Sequence, residues 1–419
     1  MIRKLLEDYK EILLYTLIAV VVGVLVGAID AVFGLVLIKI TAIRSSHPMV
    51  FLPFLPVAGI VIMLLYRHLS KESLKGMTLV FQTGHGDIDR IPKMLVPLVI
   101  LSTWMTHLFG GSAGREGVAV QLGATVAHTL GRKLKFLSNP RALLVIGMAA
   151  GFAGLFQTPI AATFFAMEVL ISGILMYEVL LPALVASFAA SMTSHFLGLE
   201  KFSISIDHAP DLAPDIIAKV VLAGIIFGMV GGVFAYALSF CKKILADQIK
   251  DPIKRIFFMG IILAVVFLGL HMGRYSGLGT NLIDSSFNNG KMYSYDWILK
   301  LVLTVLTLAA GFQGGEVTPL FAIGASLGVA LGGVLGLPVM LVAALGYTAV
   351  FGSATNTLIA PILIGAEIFG PQNTIYFAIA CSFAYVFNGN KTIYSAQKKF
   401  GFLTNEGMDI LTLQSESKK

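Results

Sequence analysis

Two short stretches set carboxylates among glycines inside otherwise apolar sequence: GGSAGREGVAVQLGA (110–124) and GFQGGEVTPLFAIGASLG (311–328). In the first, four glycines, Ser112, Arg115 and Glu116 precede a run that reads as helix. In the second, Gly314, Gly315 and Pro319 frame the start of another helix, with Glu316 beside it. Proline suits a first helical turn, where its missing N–H is not needed. The chemistry open to such segments is anion binding. The first N–H groups of a helix have no intrahelical acceptor, and the helix dipole adds partial positive charge there. Two such helix starts converging on one point suit an anion and do not suit a cation.

Glu116 has a specific role available: its carboxylate can occupy the anion position itself and leave when protonated, which couples anion occupancy to a proton. A salt bridge with Arg115 or a plain helix cap accounts for the same residue types. Glu316 is open to the same two readings. Ionisable groups within a membrane are costly and usually functional. Glu168, in TPIAATFFAME (158–168), and Glu367 recur at matching places and read as caps or tethers at least as readily as proton carriers. His85 and Asp87, in TGHGDID (83–89), read as a loop between spans. His107, His128 and His195 lie in apolar runs and read as satisfied packing residues. FNGNKTIYSAQ (387–397) breaks another apolar block, and its Tyr394 on its own reads as an interfacial aromatic anchor. Cys241 and Cys381, the two cysteines, have neither metal-ligand nor disulfide spacing and read as apolar fillers.

The elements that must hold these residues are apolar helices. Hydrophobic residues make up 57% of the 419 and charged ones 13%, with a mean hydropathy of +0.86. A soluble domain is nearer half apolar and a quarter charged. The excess falls in blocks such as Ile12–Ala28, Phe51–Tyr66, Leu143–Phe156, Val179–Phe196 and Ile256–Leu270. A bilayer span needs about 20 apolar residues against a core of roughly 30 Å. Several blocks are shorter, which predicts helices that stop partway through the membrane. Non-helical backbone at that depth survives only where protein or a water-filled cavity satisfies it. The net charge of +7 is no nucleic-acid signal, because the basic residues cluster at block ends. MIRKLLEDYK at the start is charged and lacks a cleavage site after a short apolar run, so it reads as part of a retained first helix. H-E-x-x-H and paired aspartates within a span are missing from the sequence, which argues against a membrane-embedded enzyme. No cofactor is implied.

Self-similarity organises the chain. Gly23-x-x-x-Gly27-x-x-x-x-Val32-Phe33 recurs as Gly224-x-x-x-Gly228-x-x-x-x-Val233-Phe234, 201 residues later. Gly76-Met77 meets Gly277-Leu278, and Gly114-x-Glu116 meets Gly314-x-Glu316, at nearly the same offset. The expected organisation is one integral transport domain of two membrane repeats, 1–200 and 211–405, followed by a short tail, 406–419. The acidic linker 199–215 stands against the lysines of 241–255, and the positive-inside rule puts the linker outside and the lysines in the cytoplasm. The first repeat then starts inside and the second outside. The predicted fold is therefore an all-α polytopic membrane protein of two inverted repeats with tilted and broken helices. Both termini are cytoplasmic, and the site lies at the repeat interface.

GREGV resembles the G-K/R-E-G-P signature of the CLC anion channels and transporters, and GGEVTP stands where that family has G-x-F-x-P. The paired halves, the Gly-x-x-x-Gly helix and TPIAATFFAME fit as well, so the resemblance covers about residues 11–402. It implies a homodimer with a separate pathway in each subunit and Glu116 as the gating glutamate. Carried onto this chain, it puts Met77, Gly114, Arg115, Gly117, Val118, Gly315, Val317, Thr318 and Tyr394 around the anion. Tyr394 then becomes an inner gate, Glu316 a further proton group, and Tyr347, Phe351 and Asn356 pore candidates. The departures are specific. Met77 stands where chloride-selective members carry a serine, Val118 replaces the signature proline, Val317 the phenylalanine, and Val169 the inner proton-relay glutamate. This pattern resembles the fluoride/proton antiporter branch. The expected partners are fluoride, with chloride as the alternative, together with protons and the lipid bilayer of a prokaryotic inner membrane. The competing reading is a chloride-selective exchanger or a passive channel of the same family.

Overall fold

Leu13, Leu17, Val21 and Val24 form a helical stripe that is 45–61% exposed, and Phe258, Ile262 and Val265 form another at 52–66%. Apolar faces of this kind on several elements do not suit water; they suit lipid. The structure is a computed structural model that describes residues 2–400, apart from 135, 136, 138, 207–209 and 289. The tail 406–419 and residues 401–405 of the second repeat lie outside the described residues.

In the first half the α-helices of more than one short turn are α1 (Ile2–Ser46), α2 (Leu55–Leu69), α3 (Met77–His85), α4 (Leu95–Leu108), α5 (Glu116–Gly131), α6 (Pro140–Phe156), α7 (Pro159–Glu168) and α8 (Leu180–Phe196). In the second they are α9 (Pro214–Gln248), α10 (Pro252–Gly269), α11 (Thr280–Phe287), α12 (Asp296–Ala310), α13 (Val317–Leu335), α14 (Val339–Thr355), α15 (Ile359–Phe369) and α16 (Thr374–Val386). The order of long and short helices is the same in both halves. Among the described residues, six helical segments are long and apolar enough to cross a membrane. Others are too short: α15, with 11 residues, rises about 16 Å at 1.5 Å per residue. The chain is thus a polytopic helical membrane protein of two inverted repeats built from whole and broken helices.

Local chemistry sets the ends. The Asn139 side chain accepts from the Arg141 N–H at 3.1 Å, with Pro140 opening α6. The Asp251 side chain does the same for Ile253 at 2.9 Å before α10. Small residues set the packing. A Cβ on Gly23 would lie 2.6 Å from the Ala186 carbonyl oxygen of α8. On Gly224 and Gly228 it would lie 2.7 and 2.6 Å from those of Ala380 and Ala384 of α16. The recurring Gly-x-x-x-Gly motif therefore does the same work twice, letting the first helix of each repeat touch the backbone of the last. The linker packs along α15, with the Ile204 N–H donating to the Ile368 carbonyl at 2.9 Å.

Candidate functional site

The two glycine segments meet. Gly114 and Gly315 form an isolated antiparallel bridge. The Gly114 N–H donates to the Gly315 carbonyl at 2.5 Å and the Gly315 N–H to the Gly114 carbonyl at 2.8 Å. The exchange is reciprocal, as a two-fold axis between repeats requires. The backbones approach closely: a Cβ on Gly114 would stand 3.0 Å from the Gly315 oxygen and 2.8 Å from Pro319 Cδ. From this bridge α5 starts at Glu116 and α13 at Val317.

Glu116 is 1% exposed. Its Oε2 accepts from the Thr318 N–H at 3.1 Å, from the Thr318 hydroxyl, and from the Arg115 N–H at 3.4 Å. Its Oε1 lies 3.6 Å from Arg115 Nε. The carboxylate of one repeat thus sits on the first turn of the facing helix of the other. Its oxygen stands where a free anion would find the same donors. The sequence suggested the N–H groups of the glutamate's own helix; the donors at Thr318 come from the partner repeat.

A cavity of about 440 Å³ approaches this pair and ends short of it; Glu116 and Thr318 are not on its wall. Met77, Phe81, Gln121, Lys242, Glu316 and Tyr394 line it. Met77 opens α3, so that helix also presents its start to the cavity. The Tyr394 ring, 5% exposed, stacks on Phe81 with centroids 4.9 Å apart. Glu316 Oε2 lies 3.7 Å from where a Cβ on Gly117 would stand, so Glu316 reaches the start of α5.

Several expectations change. Glu316 precedes α13 as Arg115 precedes α5, so with Gly114 paired to Gly315 its symmetry mate is Arg115 and not Glu116. Val118 is turned away: its side chain packs with Phe33, Leu122 and Leu155, and its N–H donates to the Arg115 carbonyl. Val317 is 1% exposed, with its side chain in the main core. His85 is the last residue of α3 rather than part of a loop, with Nε2 3.1 Å from the Ala396 carbonyl, while Asp87 pairs with Lys398 at 3.8 Å. His195 is exposed at the end of α8 and is not a packing residue. His107 is fully buried between the Thr103 and Ala113 carbonyls, and His128 lies 3.2 Å from the Asp89 carbonyl.

The other candidates are not on the wall of this cavity. Asn356 ends α14 and accepts from the Asn388 amide at 2.9 Å. Phe351 belongs to an aromatic cluster with Phe165 and Phe321, and Tyr347 stacks on Phe321 at 4.1 Å. The Lys399 ammonium holds Asn390, and Lys391 lies over the Tyr236 ring. Cys381 is buried and Cys241 half-buried. Glu168 accepts from the N–H groups of Leu358, Ile359 and Ala360 at 3.2, 3.1 and 2.8 Å. Glu367 accepts from those of Ile160 and Ala161 at 3.2 and 3.0 Å. Each carboxylate caps the other's helix, which is the tether reading.

The scaffold of the first glycine segment escaped the sequence reading. Ser112 exchanges a hydrogen bond with Thr304 at 2.8 Å, takes one from Lys300 at 2.9 Å, and its N–H lies 3.3 Å from Thr307 Oγ1. The available signal was Lys300, a charge in the middle of an apolar block. Phe81 carried no polar signal at all.

The family model described as voltage gated chloride channel matches residues 58–389. The chain belongs to the voltage-gated chloride channel family. It is 53% identical to a protein solved as a CLC-type fluoride/proton antiporter, with a TM-score of 0.92 over 93% of this chain and 99% of that one. It is 37% identical to a chloride/fluoride channel protein of Pseudomonas syringae pv. tomato, over 91% of this chain and 85% of the relative. A slow cyanobacterial Cl-/H+ antiporter shares the fold, with a TM-score of 0.78 at 19% identity over 97% of this chain and 98% of that one.

Proposed function

We propose that the chain is a fluoride/proton antiporter that exports cytoplasmic fluoride, with Glu116 as its protonatable gate. The observation that carries this is the Glu116 carboxylate on the first turn of α13, bound by the Thr318 N–H and hydroxyl. Carboxylate and fluoride compete for the same donors. Protonation removes the charge that holds the carboxylate there, so a proton arriving at Glu116 frees the place for an anion from the cavity at Glu316. Fluoride is small and a strong hydrogen-bond acceptor, and a hydroxyl and an N–H on one residue are compact donors that suit it. Met77 offers no hydroxyl at the start of α3, where a larger halide would be steadied. Glu316, on the cavity wall between Lys242 and the start of α5, is placed to pass protons from the cytoplasm. Similarity to the 53% identical fluoride/proton antiporter supports the same reading.

The chain then works as a secondary transporter and not as an enzyme, in a prokaryotic inner membrane with both termini cytoplasmic. It acts as a homodimer with one pathway per subunit and has no nucleic-acid partner. The linker and loop charges support that orientation. A passive anion channel is the second reading, favoured by similarity to the chloride/fluoride channel protein of Pseudomonas syringae pv. tomato. Liposomes holding a fluoride gradient, followed with fluoride and pH electrodes together, separate the two. Antiport gives fluoride efflux that drives proton uptake, with coupling lost in Glu116→Gln. Efflux indifferent to a pH gradient supports the channel. Met77→Ser is expected to narrow the preference for fluoride over chloride; an unchanged preference removes Met77 from selectivity.

A further inference from the structure

A second cavity, of about 360 Å³, lies apart from all the residues assigned to the pathway. It sits between the C-terminal end of α1 and the N-terminus of α11 and is lined by Thr41, Arg44, Ser45, Arg274, Leu278 and Thr280, among others. We propose that this cavity is a second binding site for a small inorganic anion, on the opposite membrane face from the cavity at Glu316, with Arg44 and the first N–H groups of α11 as its donors.

Charge is the first argument. Arg44 is 5% exposed, and its Nη1 donates to the His107 carbonyl at 2.8 Å. Among the described residues no carboxylate pairs with it. Behind the cavity Lys300, 0% exposed, donates to the Tyr275 and Gly277 carbonyls at 3.2 and 2.7 Å and to Ser112. All of its partners are neutral. The nearby acid, Asp296, is already committed. It takes two bonds from Arg274 at 3.2 and 2.7 Å, one from the Tyr275 hydroxyl at 2.6 Å and one from the Tyr293 N–H at 2.9 Å. The lining residues include no acid. Arg44 is therefore a buried cation on the cavity wall with no carboxylate partner, a costly arrangement that an anion in the cavity relieves.

Backbone direction is the second argument. Lys300 is not on the cavity wall, so the carbonyls it binds point away from the cavity. The Leu282 and Ile283 N–H groups donate to the Gly279 carbonyl at 3.0 and 3.1 Å, so those of Thr280 and Asn281, both on the cavity wall, remain as its polar lining.

Symmetry is the third. Thr41 and Ser45 stand 201 residues before Lys242 and Ala246, and Leu278 stands 201 after Met77. Lys242, Ala246 and Met77 line the first cavity, so the second is its mate in the inverted repeat. The mates of Arg44 and Lys300 are Leu245 and Val99. The buried guanidinium of Arg44 therefore belongs to the second cavity alone and is not a by-product of the repeat. The site does not rest on fluoride/proton antiport, because its occupancy is read without flux.

Crystals of the full chain soaked in sodium bromide test it. The anomalous map is expected to show bromide between the Arg44 guanidinium and Thr280, absent in Arg44→Leu. Arg44→Lys keeps a cation and guards against loss of folding; its bromide midpoint, read from thermal melting against isethionate, is expected to rise roughly tenfold, as for one charge-assisted hydrogen bond. A map with no bromide in this cavity, or with bromide only beside Glu116, overturns the proposal. So does equal occupancy in wild type and Arg44→Leu.

Discussion

At Glu116 a buried carboxylate meets two donors from one threonine and the guanidinium and N–H of its neighbour. A charge in that position holds only while those donors hold it. Hydrogen bonds to charged groups contribute about 1.5–3 kcal/mol each, so one donor shifts the docked fraction roughly ten- to a hundredfold. Thr318→Val keeps the shape and the N–H and removes the hydroxyl. Fluoride is expected to move with fewer protons, and the fluoride-to-proton ratio in liposomes is expected to rise several-fold. An unchanged ratio would mean that the hydroxyl does not hold the gate. Arg115 is a weaker partner, since its Nε stands 3.6 Å away with no hydrogen bond.

The broken helices need their ends satisfied from outside themselves, because no water lies in the bilayer core to do it. α7 and α15 solve this reciprocally through Glu168 and Glu367. Glu168→Ala leaves three N–H groups at the start of α15 without their acceptor and is expected to cost about 2–3 kcal/mol. The reading is a lower melting temperature in detergent with proton coupling intact in the protein that folds. Coupling lost at unchanged stability would return Glu168 to the proton route. Helix contacts are equally local. Gly27→Leu drives a side chain into the Ala190 backbone of α8, and overpacking of that kind costs about 1–3 kcal/mol or more. Reduced yield of folded protein, seen by size-exclusion chromatography, is the expected result.

For the whole molecule, the bridge between Gly114 and Gly315 is where the two repeats meet at the site. A Cβ on Gly315 would lie 3.0 Å from the Gly117 N–H nitrogen, and one on Gly114 the same distance from the Gly315 oxygen. Gly114→Ala and Gly315→Ala therefore disturb one shared contact. Each is expected to slow fluoride flux with helix content retained, and the double variant to lose less than the sum of the two, as neighbours do. Additive losses in flux would show that the two glycines act separately.

Much of this was legible in the sequence, and for a physical reason. Apolar blocks, glycine spacing and a repeat offset of 201 are properties of a chain in lipid, where every backbone group must be satisfied within helices. They determine a polytopic helical fold of two repeats, and glycines beside Glu116 already point to an anion-binding helix start. The partners across the repeats were not legible. That Glu116 rests on Thr318, that Glu316 is the mate of Arg115, and that Val118 faces the core all depend on the register between two segments about 200 residues apart. A one-residue change in that register leaves the motifs intact and changes which side chain faces the site. Arg44 and Lys300, far apart in sequence, come together only because both reach the turn at Gly277: Arg44 packs against its Cα and Lys300 donates to its carbonyl. Periodicity reports which face of a helix is buried; only tertiary packing decides against what.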